Sequence, residues 1–367
     1  PDDEYLDLTG YYLLPGLIDM HVHLTSQSSS RAYLERTTLN DADYAIRATK
    51  NAEKTLKAGF TSVRNLGDSS SITISLRNAI LDSTTIGPRI FSSGKTISTT
   101  GGHGDSTNSL NNQFTSDLGP KDGVINGKQD AYKAVRHRYK EDADLIKITA
   151  TGGVLSVAKS GENPQFTDEE LGAIVQTAND YGLWTAAHAH GKEGMRRAVD
   201  AGINSIEHGT YMDQEIMTLM ISKGTYYVPT IMAGNWVAEK AKIPNFFPAL
   251  VKPKAEKIGP QIEATFSAAY KAGVKIAFGT DSGVSAHGDN WQEFILMTNG
   301  GMPPAVALKS ATIETAKLLR IEDRLGQIKT GMLADIIALA ENPLTNIAAV
   351  SNVKFVMKDG VIFKNDL

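Results

Sequence analysis

The sequence predicts a parallel α/β barrel of the (β/α)8 type with a small β domain beside it, and three observations lead there. Eight strand-like runs alternate with helix-like runs along most of the chain. Five of the strand-like runs end in residues of metal-ligand type, and the C-terminal ends of barrel strands are where such sites are built. No G-x-G-x-x-G follows the first strand, so an open doubly wound sheet, which would fit the alternation equally well, lacks its dinucleotide fingerprint. The 367 residues suffice for one large domain, or one plus a small accessory.

The elements follow in order. The run 13–24 is apolar and ends in His-Val-His. Residues 41–58 have helical spacing, with Asp41 or Asp43 as N-cap and Gly59 as stop. A strand is predicted over 60–65, a helix over 71–81 and a third strand over 89–93. A long Gly/Ser/Thr/Asn-rich stretch, 96–127, precedes a helix over 129–141 and a fourth strand over 145–149. The helix over 167–181 opens on Thr-Asp-Glu-Glu, a capping box with Glu170 three residues after Thr167. Strand five (183–188), a helix (192–201), strand six (203–208), a helix (213–223) and strand seven (226–230) continue the alternation. An insertion over 231–260 leads into a long helix ending near Ala272, then strand eight over 274–281 and helices over 291–298, 303–310 and 313–319.

The tail departs from this pattern. Strands over 335–339, 355–357 and 361–363 have no helices between them, and Lys358-Asp359-Gly360 reads as a tight hairpin turn. Such strands cannot bury both faces alone, so they are expected in a small β-sandwich beside the barrel.

Composition excludes several functions. Lys and Arg number 37 against 41 Asp and Glu, giving a net charge of −4 and no basic surplus for a nucleic-acid partner. With no cysteine, disulfides, thiolate nucleophiles, Cys-type zinc sites and iron–sulfur clusters are ruled out. No apolar run reaches the ~18–20 residues of a membrane span. No signal-peptide pattern stands at Pro1, and a natural start upstream is expected, which leaves the compartment open between cytoplasmic and exported. Metal or acid–base chemistry therefore falls to eight histidines, the carboxylates, Lys and Tyr.

His21 and His23, two apart on a strand, share one face and point together into the barrel mouth. Strand four carries Lys147, strand five His188, strand six His208 and strand eight Asp281, each near the end of its run, so a metal site is expected there. An ordinary ammonium, with a pKa of about 10.4, cannot ligate a metal. Lys147 could be a snorkelling lysine, which its place on an apolar strand disfavours; a Schiff-base lysine; or a carbamate formed with carbon dioxide, anionic and able to bridge two metals. The surrounding histidines favour the carbamate. Asp281 is then an oxygen ligand and the best general base, and two divalent ions about 3.5–4 Å apart with a bridging hydroxide would supply nucleophile and Lewis acid.

The run Leu14-Pro15-Gly16-Leu17-Ile18-Asp19-Met20-His21-Val22-His23, with Lys147, His188, Ile206-Glu207-His208-Gly209 and Gly279-Thr280-Asp281, resembles the amidohydrolase superfamily over nearly the whole chain. The resemblance implies His21, His23 and Asp281 on one ion, His188 and His208 on the other, and carboxylated Lys147 between them. Zinc is the first expectation, with manganese or cobalt also fitting. Within the superfamily, Thr99-Thr100-Gly101-Gly102-His103, the stretch 146–154, Ala187-His188-Ala189-His190-Gly191 and His287-Gly288-Asp289-Asn290 look most like the binuclear prolidase-like dipeptidases and carboxypeptidases. That group includes Xaa-Arg/Lys and Xaa-Pro enzymes and ochratoxin-type amide hydrolases. It implies that His103 polarises the scissile carbonyl, that His190 lies near the substrate's carboxylate, and that His287 is a pocket residue. Without it, His103 reads as an exposed loop histidine and His190 as an orienting residue. His137 reads as a solvated surface residue, and Tyr226-Tyr227 and Phe246-Phe247 as packing.

The expected activity is hydrolysis of the amide bond to a C-terminal amino acid, in a dipeptide, an N-acyl amino acid or an ochratoxin-like amide, by a metal-bridging hydroxide. His103 would stabilise the oxyanion and Asp281 carry the proton to the leaving amine. Alternatives are a cyclic-amide hydrolase of the dihydroorotase or imidazolonepropionase kind, a deaminase, a Schiff-base lyase and a non-catalytic barrel. A deaminase would want a Glu in His-x-x-Glu, where this chain has His188-Ala189-His190-Gly191; a non-catalytic barrel would have lost ligand positions that are filled here. Specificity is expected from 96–127 and 231–260. Relatives commonly assemble, so a homo-oligomer is expected. They also carry strands ahead of the metal histidines, so 1–12 is read as a remnant of the small β domain, 13–325 as the barrel and 326–367 as the C-terminal strands, with most N-terminal strands lacking.

Overall fold

In the computed structural model, which describes residues 5–367, the apolar run before the first histidines is two strands rather than one. β1 (Tyr12–Pro15) belongs to an antiparallel sheet outside the barrel, and β2 (Leu17–Val22) opens the barrel. The break falls at Pro15-Gly16. Proline has no N–H for a ladder, and a Cβ on Gly16 would collide with Thr61 Oγ1, so only glycine lets the chain cross there.

β2 is followed by β3 (Phe60–Asn65) and β4 (Arg89–Ser92), which form one parallel sheet. Short β5 (Ser98–Thr99) and β6 (Val124–Ile125) lie in the Gly-rich stretch. β7 (Leu145–Thr149), β8 (Trp184–Ala189), β9 (Ser205–His208) and β10 (Tyr226–Val228) form a second parallel sheet. Two irregular segments join the sheets. On one side Asp144 N–H donates to Ser92 O at 2.8 Å and Ile97 N–H to Lys147 O at 2.8 Å. On the other, Tyr227 N–H donates to Lys275 O at 2.8 Å, Met20 N–H to Phe278 O at 2.9 Å and Asp281 N–H to His21 O at 2.7 Å. The result is a TIM-barrel-like α/β arrangement. The eighth run, 274–281, pairs through isolated bridges such as Tyr227–Ile276 rather than as a laddered strand, and its last residue, Asp281, has φ +56°.

The tail strands are β11 (Ile336–Leu339), β12 (Val353–Lys358) and β13 (Val361–Asn365). With β1 they make one four-stranded antiparallel sheet in the order β1-β11-β12-β13. Asp359 and Gly360 both have positive φ (51° and 77°), as a two-residue hairpin of this twist requires. Arg89 ties the sheet to the barrel, donating to Asp335 Oδ2 at 2.8 Å and pairing with Asp359.

Helices cover the barrel. They are α1 (Ala32–Thr38), α2 (Asp41–Lys57), α3 (Ile72–Leu81), α4 (Lys128–Lys140), α5 (Asp168–Asp180), α6 (Lys192–Ala201), α7 (Gln214–Lys223), α8 (Ile231–Ala241), α9 (Lys252–Ala272), α10 (Gln292–Asn299), α11 (Pro304–Ser310) and α12 (Ile313–Leu318). The N-cap of α2 is Asn40, whose N–H donates to Asp43 Oδ2 at 2.9 Å, so Asp43 is the third residue of a capping box rather than the cap. Thr167 and Glu170 form the expected box on α5. The insertion folds as an α8–α9 hairpin that closes on Val237, Ala241, Ala255 and Ile258. Among the described residues, no helix is long and apolar enough to cross a membrane.

Candidate metal centre

The parallel ladders bring the strand ends into register. Thr149, two residues past Lys147, pairs with His188, and Ala189 pairs with His208. His21, His23, Lys147, His188, His208 and Asp281 all line one cavity of about 490 Å³ at that end of the barrel. His21, His23 and Asp281 form a candidate metal site, with one ligand atom from each lying within 4.8 Å of the others. His21 Nε2 and His23 Nε2 stand 3.5 and 3.4 Å from Asp281 Oδ1. The His208 ring lies 5.0 Å from that of His21 and 4.7 Å from that of His188, extending the cluster across the barrel.

The hydrogen bonds of the rings leave donor nitrogens turned inward, as metal ligation requires. His21 Nδ1 is 3.0 Å from Glu207 Oε2, His23 Nδ1 is 3.1 Å from Gly67 O and His208 Nδ1 is 2.8 Å from Thr230 Oγ1, so Nε2 is spare in each. His188 is held through Nε2, 3.0 Å from Gly152 O, which spares Nδ1. Asp281 Oδ1 is buried without a hydrogen bond among the described residues. An unpartnered carboxylate oxygen facing spare imidazole nitrogens is the donor set of a hard-to-borderline divalent ion. His208, Thr230 and Asp281 all sit at positive φ, a strain that clusters at functional sites.

A layer behind the cluster holds it. Arg64 Nη2 pairs with Glu207 Oε1 at 2.7 Å, and its Nε donates to Met20 O at 2.7 Å. Asp19 Oδ2 accepts from Thr280 Oγ1 and from Asn290 Nδ2, both at 2.7 Å, pinning β2 to the eighth segment. Glu293 accepts from Ile231 N–H (2.9 Å) and Met232 N–H (2.7 Å), capping α8 and fixing the turn at Thr230 that meets His208. Tyr227 O–H donates to His208 O at 2.9 Å. Of these residues the sequence points only to Tyr227, as packing. The legible signal was charge inside apolar strands, as with Arg64 in Phe60–Asn65.

The other candidates divide. His103 lines the cavity, stacks on His188 at 4.4 Å between ring centres and donates its backbone N–H to Gln165 Oε1 at 2.8 Å. Its ring lies against Gly153, where any Cβ would collide with it, and its Nδ1 has no partner among the described residues. His190 also lines the cavity, with Nδ1 2.8 Å from Thr210 Oγ1. His287 does not line it: Nε2 is 2.9 Å from Ser26 O, and its N–H donates to Gln27 Oε1 at 3.2 Å. That histidine braces the loop after β2. His137 lies on α4, its Nε2 3.2 Å from Glu141 Oε1. The Gly-rich stretch contributes Thr96, Gly104 and Ser106 to the lining. The insertion contributes Ala233, Gly234, Val237 and Ile258, an apolar wall facing the histidines.

Burial sets the protonation. Desolvation lowers every cluster histidine: His23 to about 4, His103 and His190 to about 3, and His21, His188 and His208 well below the ordinary imidazole value. His287 falls to about 4. The same burial lowers Lys147 and raises Asp281. In the unfolded chain these histidines titrate near 6.5, so it takes up protons first as pH falls. Their contribution is whole above pH 6.5 and is lost toward pH 4, at up to about 1.4 kcal/mol per histidine per pH unit. Asp19, Asp144, Asp281 and Glu293, raised by burial, act oppositely, but four groups oppose seven. The urea midpoint of metal-free protein is therefore expected to drop sharply between pH 7.5 and 5; an unchanged midpoint would contradict buried neutral histidines.

Comparison with known proteins agrees with this geometry. Residues 12–363 match the Amidohydrolase family. The chain is 32% identical to ochratoxinase from Aspergillus niger, over 96% of this chain and 75% of that protein. It is similar to a crystal structure of a Xaa-Pro dipeptidase with methionine bound in its active site (56% identity, TM-score 0.97, covering 99% of this chain and 89% of the other). It is also similar to a prolidase complexed with N-methylphosphonate-L-proline (30% identity, TM-score 0.90, covering 100% and 90%).

Proposed function

The chain belongs to the amidohydrolase family and is a hydrolase acting on amide or peptide bonds, and from that premise we propose that it cleaves the amide bond to a C-terminal amino acid, in a dipeptide or an N-acyl amino acid. The observation that carries this reading is one cavity holding a histidine–carboxylate cluster on one side and an apolar wall on the other. The relatives support it: two hold an amino acid or a proline derivative, and the third is named for an ochratoxin substrate.

His21, His23 and Asp281 would hold one ion, His188 and His208 a second, with Lys147 between them as a carbamate. When bound, divalent ions of the zinc class lower the pKa of water and polarise a carbonyl. Burial lowers Lys147 and so favours the neutral amine that adds carbon dioxide, releasing a proton. Asp281 Oδ1, free of hydrogen bonds, takes the proton of the attacking water and returns it to the leaving nitrogen. The neutral His103 ring offers one N–H to the oxygen of the scissile carbonyl as charge grows there. Val237, Ile258 and Ile262 exclude water from the substrate's side chain.

The test is a panel of dipeptides, N-acyl amino acids and cyclic amides offered to zinc-loaded protein. Free C-terminal amino acid is expected from linear substrates. Opening of cyclic amides without cleavage of any linear one would replace the reading with a cyclic-amide hydrolase.

A further inference from the structure

A substrate ending in a free amino acid brings a carboxylate into an apolar cavity, which is costly unless a cation meets it. His190, the residue expected near that carboxylate, already holds Thr210 Oγ1 through Nδ1 at 2.8 Å and so offers at most one further N–H, not the paired donors a carboxylate takes. The cationic side chains lining the cavity are Arg36, Lys95 and Lys147. Lys147 lies within the cluster of proposed ligands. Lys254, close by, has spent all three N–H groups on Gly153 O (3.0 Å), Ser156 O (2.8 Å) and Ala158 O (3.0 Å).

Arg36 makes no ion pair or side-chain hydrogen bond among the described residues, and neither does Lys95. Position separates them. Arg36 also lines a small recess that opens beside His103, together with Asp105, Asn108, Leu155, Ser156 and Val157; Lys95 does not. In a C-terminal residue, only the amide nitrogen and one Cα separate the carboxylate from the scissile carbonyl carbon. The carboxylate's partner must therefore flank the group that binds the carbonyl, here His103. Asp105 does not compete for the guanidinium, since its oxygens accept from Gly101 N–H (2.8 Å), Thr107 N–H (2.9 Å) and Thr107 Oγ1 (2.6 Å). The Arg36 guanidinium lies 5.2 Å from the Tyr33 ring centre, and Tyr33 O–H donates to Leu155 O at 2.8 Å, which ties α1 to the cavity wall.

We propose that Arg36 is the anchor of the substrate's C-terminal carboxylate and so the residue that makes the enzyme read a free acid. The proposal rests on the reading of the previous subsection. The planar fork of arginine suits two parallel N–H···O bonds to a carboxylate. Binding to Arg36 would hold the scissile carbonyl beside His103 and exclude substrates that continue past the cleaved residue or end in an uncharged amide.

The experiment measures kcat and KM for a dipeptide and for its C-terminal carboxamide, with wild type, Arg36→Gln and Lys95→Gln. Wild type is expected to prefer the acid. Arg36→Gln is expected to raise KM for the acid about 10- to 100-fold, with kcat changed only a few-fold, and to leave the carboxamide unaffected, so the preference disappears. Lys95→Gln should keep it. Arg36 is exposed and α1 buries no residue, so the variant should fold as the wild type does, which circular dichroism checks. An unchanged acid-to-amide ratio in Arg36→Gln, or equal losses on both substrates, overturns the proposal. Loss of the ratio in Lys95→Gln instead moves the anchor and also overturns it. A wild type that cleaves no linear substrate removes the parent reading and this proposal together, whereas cleavage with an Arg36-independent ratio removes this proposal alone.

Discussion

Replacing Lys147 by alanine is expected to cut turnover at least about a thousand-fold, roughly 4 kcal/mol at 1.36 kcal/mol per decade. Two other lysines, the buried Lys358 and the half-buried Lys254, show what a structural role looks like. Lys358 donates to Gly87 O at 2.8 Å, and Lys254 to three carbonyls. Lys147 is 4% exposed, yet its Nζ has no such acceptor and no ion pair among the described residues; it lies in the cavity wall with the histidines. An ammonium there would be repelled by any cation the histidines hold, whereas a carbamate would join them. Lys147→Ala should therefore lose bound metal along with activity, and short carboxylic acids should restore part of the turnover but not all of it. Lys147→Arg should fail as well, because a guanidinium does not add carbon dioxide. Substrate-dependent trapping of the wild type by borohydride would point instead to a Schiff base. A Lys147→Ala protein with full activity and full metal content would contradict the bridging role.

Removing the ions is expected to have the next largest effect, on turnover and on stability together. Ions that bind only the folded state stabilise it by about 4 kcal/mol per site at a thousand times the dissociation constant. Stripping them leaves Asp281 buried with, among the described residues, no hydrogen bond at Oδ1 and only neutral imidazoles within 3.5 Å of it. Chelated protein should melt several degrees lower, and zinc should restore the original midpoint. Identical melting curves with and without chelator would mean that the histidine cluster is a packed polar core rather than a metal site.

The candidate ligand set was legible because each member lies at or near the end of a strand-like run, and parallel register brings such ends to one face. His103 and His190 needed the family resemblance, since nothing local separates a cavity histidine in a Gly-rich loop from an exposed one. His287 stands close after Asp281 in sequence, but the chain turns at Gly283 (φ 122°) and ties His287 to the Ser26 carbonyl, outside the cavity lining. The division of the first apolar run depends on Thr61 filling the space beside Gly16, a contact between distant residues that spacing cannot reveal. The eighth strand was read from its apolar pattern, while its ladder is broken where Asp281 takes a left-handed conformation to face the histidines. The ion pair of Arg64 with Glu207, and the capping of α8 by Glu293, join residues at long sequence separation. Arg36 carried no signal in sequence because α1 is short and exposed; its meaning comes from the cavity it borders.

The most direct test of a metal-dependent hydrolase working in this cavity is to titrate metal-free protein with zinc while measuring release of the C-terminal amino acid from a dipeptide that the zinc-loaded protein cleaves. No release is expected without metal, with recovery that levels off at about two ions per chain. Undiminished turnover by the metal-free protein would contradict the account.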